Sequence, residues 1–440
     1  MGEMRVPARA LYGAQTQRAV ENFPISGLRF PRSFIRALGL IKSAAARVNG
    51  QLGQLPPDLA ASIEKAADDV ATGKYDDQFV VDIFQTGSGT STNMNANEVI
   101  GHLANAHPND HVNRGQSSND VIPSAIHIAA ALAVTQDLLP ALAGLAGSLA
   151  KKSEEFRGIV KIGRTHLQDA VPMLLGQEFG GYAAQLEQCE KRLRAALDGI
   201  FELALGGTAV GTGLNAIHGF APAVIREIAE RTGLPFRETA NHFEAQAARD
   251  AVSFLSGALK TLAVALTKIA NDIRWLASGP RAGLGELKLP ETQPGSSIMP
   301  GKVNPVISES LLMACAQVVG YDAAITWCCA AGNFELNVMM PVMAYDLLDS
   351  IELLAAVSRN FDRRVIQGLE ADAARASGYV EQSLAMCTVL APEIGYEKAA
   401  EIAKQAYRTG RTVREVAREM SGIAEDRLNQ LLDPKSQTGA

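Results

Sequence analysis

From Val252 to Leu276 the residues Val252, Leu255, Leu259, Leu262, Leu266, Ile269, Ile273 and Leu276 recur in alternating steps of three and four. That spacing keeps a narrow apolar stripe on one side of a helix, and such a stripe is buried best against another helix. A second segment repeats the pattern with Phe179, Tyr182, Leu186, Cys189, Leu193, Ala196 and Ile200, and a third with Leu138, Leu142, Leu145 and Leu149. Long helices with seams of this kind pack nearly antiparallel into bundles. Residues off the seam, such as Ala263 and Ala270, are also small or apolar, which asks for burial on a second side. The expectation is an all-α chain whose long-helix bundle packs against further copies of itself.

A chain of 440 residues is too long for one compact core. Boundaries are expected near Asn113–Gln116, before the first bundle helix, and near Ala373–Ser377. They divide the chain into an N-terminal helical domain over 1–115, a central helix bundle over 116–373 and a small helical domain over 374–440. The formal net charge of −6 is spread without long runs of one sign, which argues against nucleic acid and acidic membranes as partners. The five cysteines, Cys189, Cys315, Cys328, Cys329 and Cys387, have neither Cys-x-x-Cys spacing nor neighbouring metal ligands. They read as small buried hydrophobes in a reducing compartment. The N-terminus does not read as a signal or transit peptide, so the expected location is the cytoplasm. The longest uncharged stretch, Leu203–Ile225, holds Asn215, His218 and Pro222 and reads as loop and turn, not as a membrane span.

Four punctuated stretches interrupt the helical pattern: Gln85–Asn97, His107–Asp120, Gly163–Asp169 and Pro290–Pro305. Connectors need only turn residues, whereas these also carry His, Lys and a dense supply of hydroxyls and amides. In the last stretch, Gly295 and Gly301 let main-chain N–H groups approach an anion, Lys302 adds a positive charge and Asn304 a neutral donor. That set suits a small carboxylate; the bland alternative is a solvated turn. His166, in GRTHLQD, is either a structural histidine or a proton carrier, and Glu309 is a possible carboxylate partner for it. Ser117-Ser118-Asn119-Asp120 and Ser88-Gly89-Thr90 have helix-capping character. Ser118 or Asn119 can cap the next helix while the same helix start binds a carboxylate. His107 and His111 are four apart, but Pro108, Asn109 and Asp110 read as a turn, so no metal site is expected.

Together these stretches resemble the fumarase/aspartase superfamily, most closely its class II fumarate hydratases. GSSIMPGKVNP, Gly295–Pro305, is similar to the superfamily signature, and the resemblance runs from VPARALYGAQTQRAVENFPISG near the start to IGYEKAAEIAKQA at Ile394–Ala406. Three positions resemble fumarases rather than aspartases: His166 where aspartases carry Gln, Ser117-Ser118 where they have Ser-Thr, and Gly301 where they have Ala. The segment Asn333-Phe334-Glu335-Leu336-Asn337 is also similar to the fumarase version. Ser91-Thr92 departs from the Gln-Ser of many members, and the chain between Glu98 and His107 is shorter than in many.

The resemblance implies three domains, with five long central helices from each of four subunits forming a twenty-helix core. It implies active sites that draw on three subunits. The implied reaction is the reversible anti addition of water to fumarate, giving (S)-malate through an aci-carboxylate, as in the tricarboxylic acid cycle. By resemblance, Ser296 is the base that takes the C3 proton of malate. His166, paired with Glu309, handles the departing water. Ser88, Gly89, Thr90, Ser117, Ser118, Asn119, Thr165, Ser297, Lys302, Val303 and Asn304 bind the substrate. His107, Pro108, Asn109 and Asp110 match a second, peripheral anion site. No metal or organic cofactor is implied. The alternatives are aspartate ammonia-lyase, which differs in the leaving group, and a catalytically silent relative with a structural role. The silent relative would be free to lose Ser296, Lys302, Asn304, His166 or Glu309, and all five are present.

Overall fold

A computed structural model of the chain describes residues 2–439. Its five longest helices are Ser118–Glu155, continuous through one π-helical turn at Val134–Leu138, then Leu175–Ile200, Asp250–Leu276, Val306–Ala330 and Met340–Phe361. All eight residues of the Val252–Leu276 seam are 3% exposed or less, and the other two seams are as fully closed. At ~2 kcal/mol for each fully buried aliphatic side chain, such a seam is a large favourable contribution to the fold. Ala263 and Ala270 are buried within the chain as well. The apolar residues left outside are others: Phe254, Val264 and Trp275 on one helix, Met313, Val319 and Trp327 on the next.

The described residues group into two units. The first comprises 1–141, 189–264 and 314–356. In it the helix Arg32–Gln51 packs on Pro57–Ala71, Ser118–Ala133 and Phe220–Thr232. Phe34, Leu38, Ile41, Ala45 and Val48, spaced three and four apart, supply its buried face. The short helix Ala14–Asn22 is held by a carboxylate at its N-terminus. Glu98 accepts from the N–H groups of Gly13, Gln15 and Thr16 at 2.9 to 3.0 Å and from the Thr16 hydroxyl at 2.6 Å. Acceptors there satisfy donors that the first helical turn leaves unpaired. Asp322 ties Val306–Ala330 to Asp250–Leu276, taking the Ser256 hydroxyl at 2.7 Å and the Lys260 ammonium.

The second unit comprises 142–188, 265–313 and 357–440. Its C-terminal part has its own apolar cluster, with Val380, Leu390, Ile402, Val416 and Leu428 gathered around Val160 and Ile162. The helix Ala373–Gln382 begins after Asp372, whose side chain caps it by accepting from Arg375 N–H.

Strand signals are scarce in the sequence, and the described residues form four two-stranded sheets. The longest replaces what reads as a loop. Val160–Thr165 pairs antiparallel with Gln168–Leu174, with Thr165 opposite Gln168, so His166 and Leu167 are the turn. Both have positive φ, 57° and 61°. A tight hairpin of this kind needs positive φ at both turn positions and is recognised by Asn-Gly or Asp-Gly. His-Leu gives no such signal, which is why the hairpin is hidden in the sequence.

Candidate active site

In the first unit, two helix starts converge. Thr90 opens the helix Thr90–Ala104 after Gly89, whose φ is 71°. The Thr90 hydroxyl shares hydrogen bonds of 2.8 Å with both Ser88 and Ser118. Ser118 opens the other helix. The cap of that helix is Ser117, not Ser118 or Asn119 as the sequence suggested. The Ser117 Oγ accepts from Asn119 N–H at 3.2 Å, and Ser117 N–H donates to Asp120 Oδ1 at 2.9 Å, closing a capping box. Ser118 and Asn119 are thereby released from capping. Three hydroxyls at two helix N-termini make a donor-rich, electropositive patch suited to a carboxylate.

A loop from far along the chain supports this patch. Asp120 is fully buried and accepts from Gly206 N–H and Thr208 N–H, each at 2.9 Å, and Asn119 Nδ2 donates to the Ala209 carbonyl at 2.8 Å. Burial pushes the Asp120 carboxyl up, against the pull of those N–H groups. The segment holding Asn337 and Val338 backs the Ser88 loop from the other side. Met340 N–H donates to the Gly87 carbonyl at 3.0 Å, and a Cβ on Gly87 would overlap the Val338 carbonyl. Only glycine permits that approach. Asn337, fully buried, donates to the Cys328 carbonyl at 2.8 Å, while Phe334 at the hairpin tip is 92% exposed. The chain-distant partners Gly206, Thr208 and Ala209 were missed in the sequence, and nothing local marks them.

In the second unit, the signature loop folds on itself. Gly295 N–H donates to the Lys302 carbonyl at 2.9 Å, and Asn304 Nδ2 donates to the Gly295 carbonyl at 2.5 Å. A Cβ on Gly295 would collide with the Lys302 carbonyl. Inside this loop the Ser296 Oγ accepts from Ile298 N–H at 3.2 Å and Met299 N–H at 3.0 Å. Two donors on one hydroxyl oxygen favour its deprotonated form. Ser297, Lys302 and Val303 are exposed.

The hairpin that carries Thr165 and His166 is anchored by buried charge. Arg164, one residue before Thr165, is ion-paired with Glu286, which has no exposed surface. Lys161, 1% exposed, lies 2.8 Å from Glu178 and 3.8 Å from Glu286. Thr165 and His166 themselves are exposed. A cavity of about 620 Å³ runs beside them, lined in part by Lys161, Arg164, His166, Glu178 and Trp275. Glu309 lies on the first turn of Val306–Ala330 and is exposed. Among the described residues no hydrogen bond or ion pair joins it to His166 within the chain.

Pro108–Val112 forms a single π-helical turn where the sequence suggested a plain turn. The His107 Nδ1 accepts from Asp110 N–H at 3.1 Å, and His107 N–H donates to the His111 Nδ1 at 3.0 Å. The His107 and Asp110 side chains are 53% and 73% exposed. Among the described residues no group of three or more His, Cys, Asp or Glu side chains is placed to hold a metal ion.

Residues 2–320 match the family model described as Lyase, and residues 386–439 match Fumarase C C-terminus. A fumarate hydratase class II of Pseudomonas aeruginosa is 52% identical, covering 100% of this chain and 97% of the relative. One from Mycobacterium tuberculosis is 55% identical over 98% of this chain and 92% of its own. Among solved structures, a class II fumarase of Schistosoma mansoni superposes with a TM-score of 0.96 at 39% identity, covering 98% of this chain and 96% of the other.

Proposed function

Because the chain belongs to the fumarase/aspartase lyases, on the class II fumarate hydratase branch, we propose the following division of labour for the reversible hydration of fumarate to malate. The protein is a hydro-lyase acting on a small dicarboxylate. In the dehydration direction, a proton beside a carboxylate must leave, and the charge it leaves behind collects on that carboxylate as a dianionic aci-carboxylate. Ser296 is the base. The observation that carries this reading is its cradle: two main-chain N–H groups already point at its Oγ. Lys302 and Asn304 hold the carboxylate that takes up the charge. Ser88, Thr90, Ser117, Ser118, Asn119 and Thr165 hold the other carboxylate and the C2 hydroxyl, supported by the hydroxyl cluster at two helix starts. His166, with Glu309, moves the proton of the departing water. His107–Asp110 forms the peripheral anion site.

Purified protein is expected to interconvert malate and fumarate with no added cofactor and no loss on treatment with a chelator. Absorbance of fumarate, followed with malate and then with aspartate as substrate, checks this. More fumarate from aspartate than from malate would overturn the assignment.

The uncovered apolar surface supports a reading of the assembly. Among the described residues three helices are long and apolar enough to cross a membrane by length and composition alone: Ser118–Glu155, Asp250–Leu276 and Val306–Ala330. Their outward residues include Trp327 at 78%, Met313 at 69% and Phe254 at 61% exposure. In this reading those faces cover one another in a homotetramer with a twenty-helix core, and each site takes loops from three copies. The absence of a His166–Glu309 bond within the chain fits a pairing made between copies. The domain division at 115 and 373 belongs to the same reading. Ser296→Ala and His166→Asn proteins, each inactive, should regain activity when refolded together. Roughly a quarter of the sites in an equal mixture would receive both intact residues. A monomer by light scattering with full activity would refute the assembly.

A further inference from the structure

The buried face of the helix Arg32–Gln51 carries a single charge, Lys42, which has no exposed surface. Its ammonium donates to Asn113 Oδ1 and Gln116 Oε1, each at 3.0 Å. Asn113 Oδ1 also accepts from Asn97 at 3.2 Å and Asn93 at 3.3 Å. Asn93 lies one turn into the helix that Thr90 opens, and Gln116 immediately precedes the Ser117 cap. The cation is therefore wired to both helix starts that present the Ser88, Thr90 and Ser118 hydroxyls. A buried ammonium held only by neutral amides is expensive. A hydrophobic or neutral residue would fill the space at lower cost, so the charge itself needs a purpose.

The groups around Lys42 from each packed element are few. Asn93 and Asn97 come from one helix, Asn113 and Gln116 from the turn, and all are neutral. Asp120, on Ser118–Ala133, is the charged group that acts on it through space. Arg231, from Phe220–Thr232, reaches the adjacent Ser43 and is balanced by Glu64, Asp68 and Glu227. Burial pulls the ammonium from its ordinary 10.5 down to about 7, with Asp120 opposing.

We propose that Lys42 is a positioning residue for the hydration reaction, whose charge, acting through Asn113 and Gln116, sets the Ser117–Asn119 helix start and favours a substrate carboxylate on the Thr90 and Ser118 hydroxyls. This rests on the assignment of those hydroxyls to the substrate. An arriving carboxylate favours the protonated ammonium, so substrate binding and protonation of Lys42 are linked. Below about neutral pH the charge is present in the free protein. Above it, binding must draw a proton in, and KM rises with pH.

Lys42→Met keeps the length and removes the charge. It should raise KM for malate and fumarate about tenfold, ~1.4 kcal/mol, with kcat within about twofold, and abolish the alkaline rise in KM. A KM that keeps the wild-type pH dependence would overturn the proposal, as would a fall in kcat at unchanged KM. A second measurement does not depend on that variant folding. Succinate binding to the His166→Asn protein, by calorimetry in two buffers of different ionisation enthalpy near pH 8, should show proton uptake without an imidazole at 166. No uptake overturns the proposal. Failure of the wild type to convert malate would instead sink the functional assignment itself, whereas intact turnover with a pH-independent KM sinks only the role of Lys42.

Discussion

Ser296→Ala is expected to lower kcat by about a thousandfold or more, the usual weight of a positioned base, while leaving binding of a malate-like inhibitor within a few-fold. The hydroxyl is a poor base until something holds its oxygen as an alkoxide. In the proposed mechanism that hold would come from Ile298 N–H and Met299 N–H, which donate to the Ser296 Oγ at 3.2 and 3.0 Å. Alanine keeps the loop's other ties, Gly295 N–H to the Lys302 carbonyl and Asn304 to the Gly295 carbonyl. The loop should therefore keep its fold, and the substrate should still find Lys302 and Asn304. The loss then falls on the transition state alone. Lys302→Ala should behave differently, raising KM and lowering kcat together, because its charge attracts the carboxylate in ground state and transition state alike. Steady-state kinetics of both variants beside inhibitor titrations separate the two patterns. If Ser296→Ala kept more than about a tenth of wild-type turnover, a loss under ~1.4 kcal/mol, Ser296 would not be the base and His166 would become the leading candidate.

The parts of this molecule that were legible in its sequence are those set by short-range periodicity. A seam of steps three and four is written wholly within its own helix, and every seam residue from Val252 to Leu276 is indeed buried. The signature loop was legible through its resemblance to the superfamily motif, and the hydrogen bonds that fold it are local as well, from Ile298 and Met299 to Ser296 and from Gly295 to Lys302. What stayed hidden depends on partners distant in the chain or on residues that carry no local signal. Asn119 meets Ala209, and Asp120 meets Gly206 and Thr208, nearly ninety positions away. Lys42 carries no local mark in the sequence, and only the fold shows that it has no exposed surface. The His166 hairpin was concealed because His and Leu occupy turn angles that usually announce themselves through Asn and Gly. Non-glycine residues held at positive φ store strain, and such strain gathers at functional sites.

That strained turn must be held in place by something, and the charges beneath it are the means. Glu286 is fully buried, ion-paired with Arg164 and 3.8 Å from Lys161, which in turn lies 2.8 Å from Glu178. Arg164 and Lys161 both lie on the strand Val160–Thr165 that leads into His166. Its main chain is tied down as well: Glu286 N–H donates to the Leu276 carbonyl, and Asp372 N–H to the Glu286 carbonyl, both at 2.8 Å. Glu286→Ala leaves that backbone in place but strips the buried Lys161 and the partly buried Arg164 of a shared counter-charge, leaving Glu178 as the partner of Lys161. Breaking a buried pair from one side costs about 3 kcal/mol or more, because the remaining charge cannot return to water. The variant should unfold at clearly lower urea, and its kcat should fall more than tenfold as the His166 turn loses its register. Glu286→Gln, which keeps the shape and one acceptor, should recover part of both. Glu154→Ala is the control: its pair with Arg157 is 3.7 Å apart and more than three-quarters exposed on both sides. Water screens that pair, so its removal should shift neither urea midpoint nor kcat. Equal urea midpoints for Glu286→Ala and Glu154→Ala would mean that the buried charges do not anchor the hairpin, and that its strained turn is held by the strand pairing with Gln168–Leu174 alone.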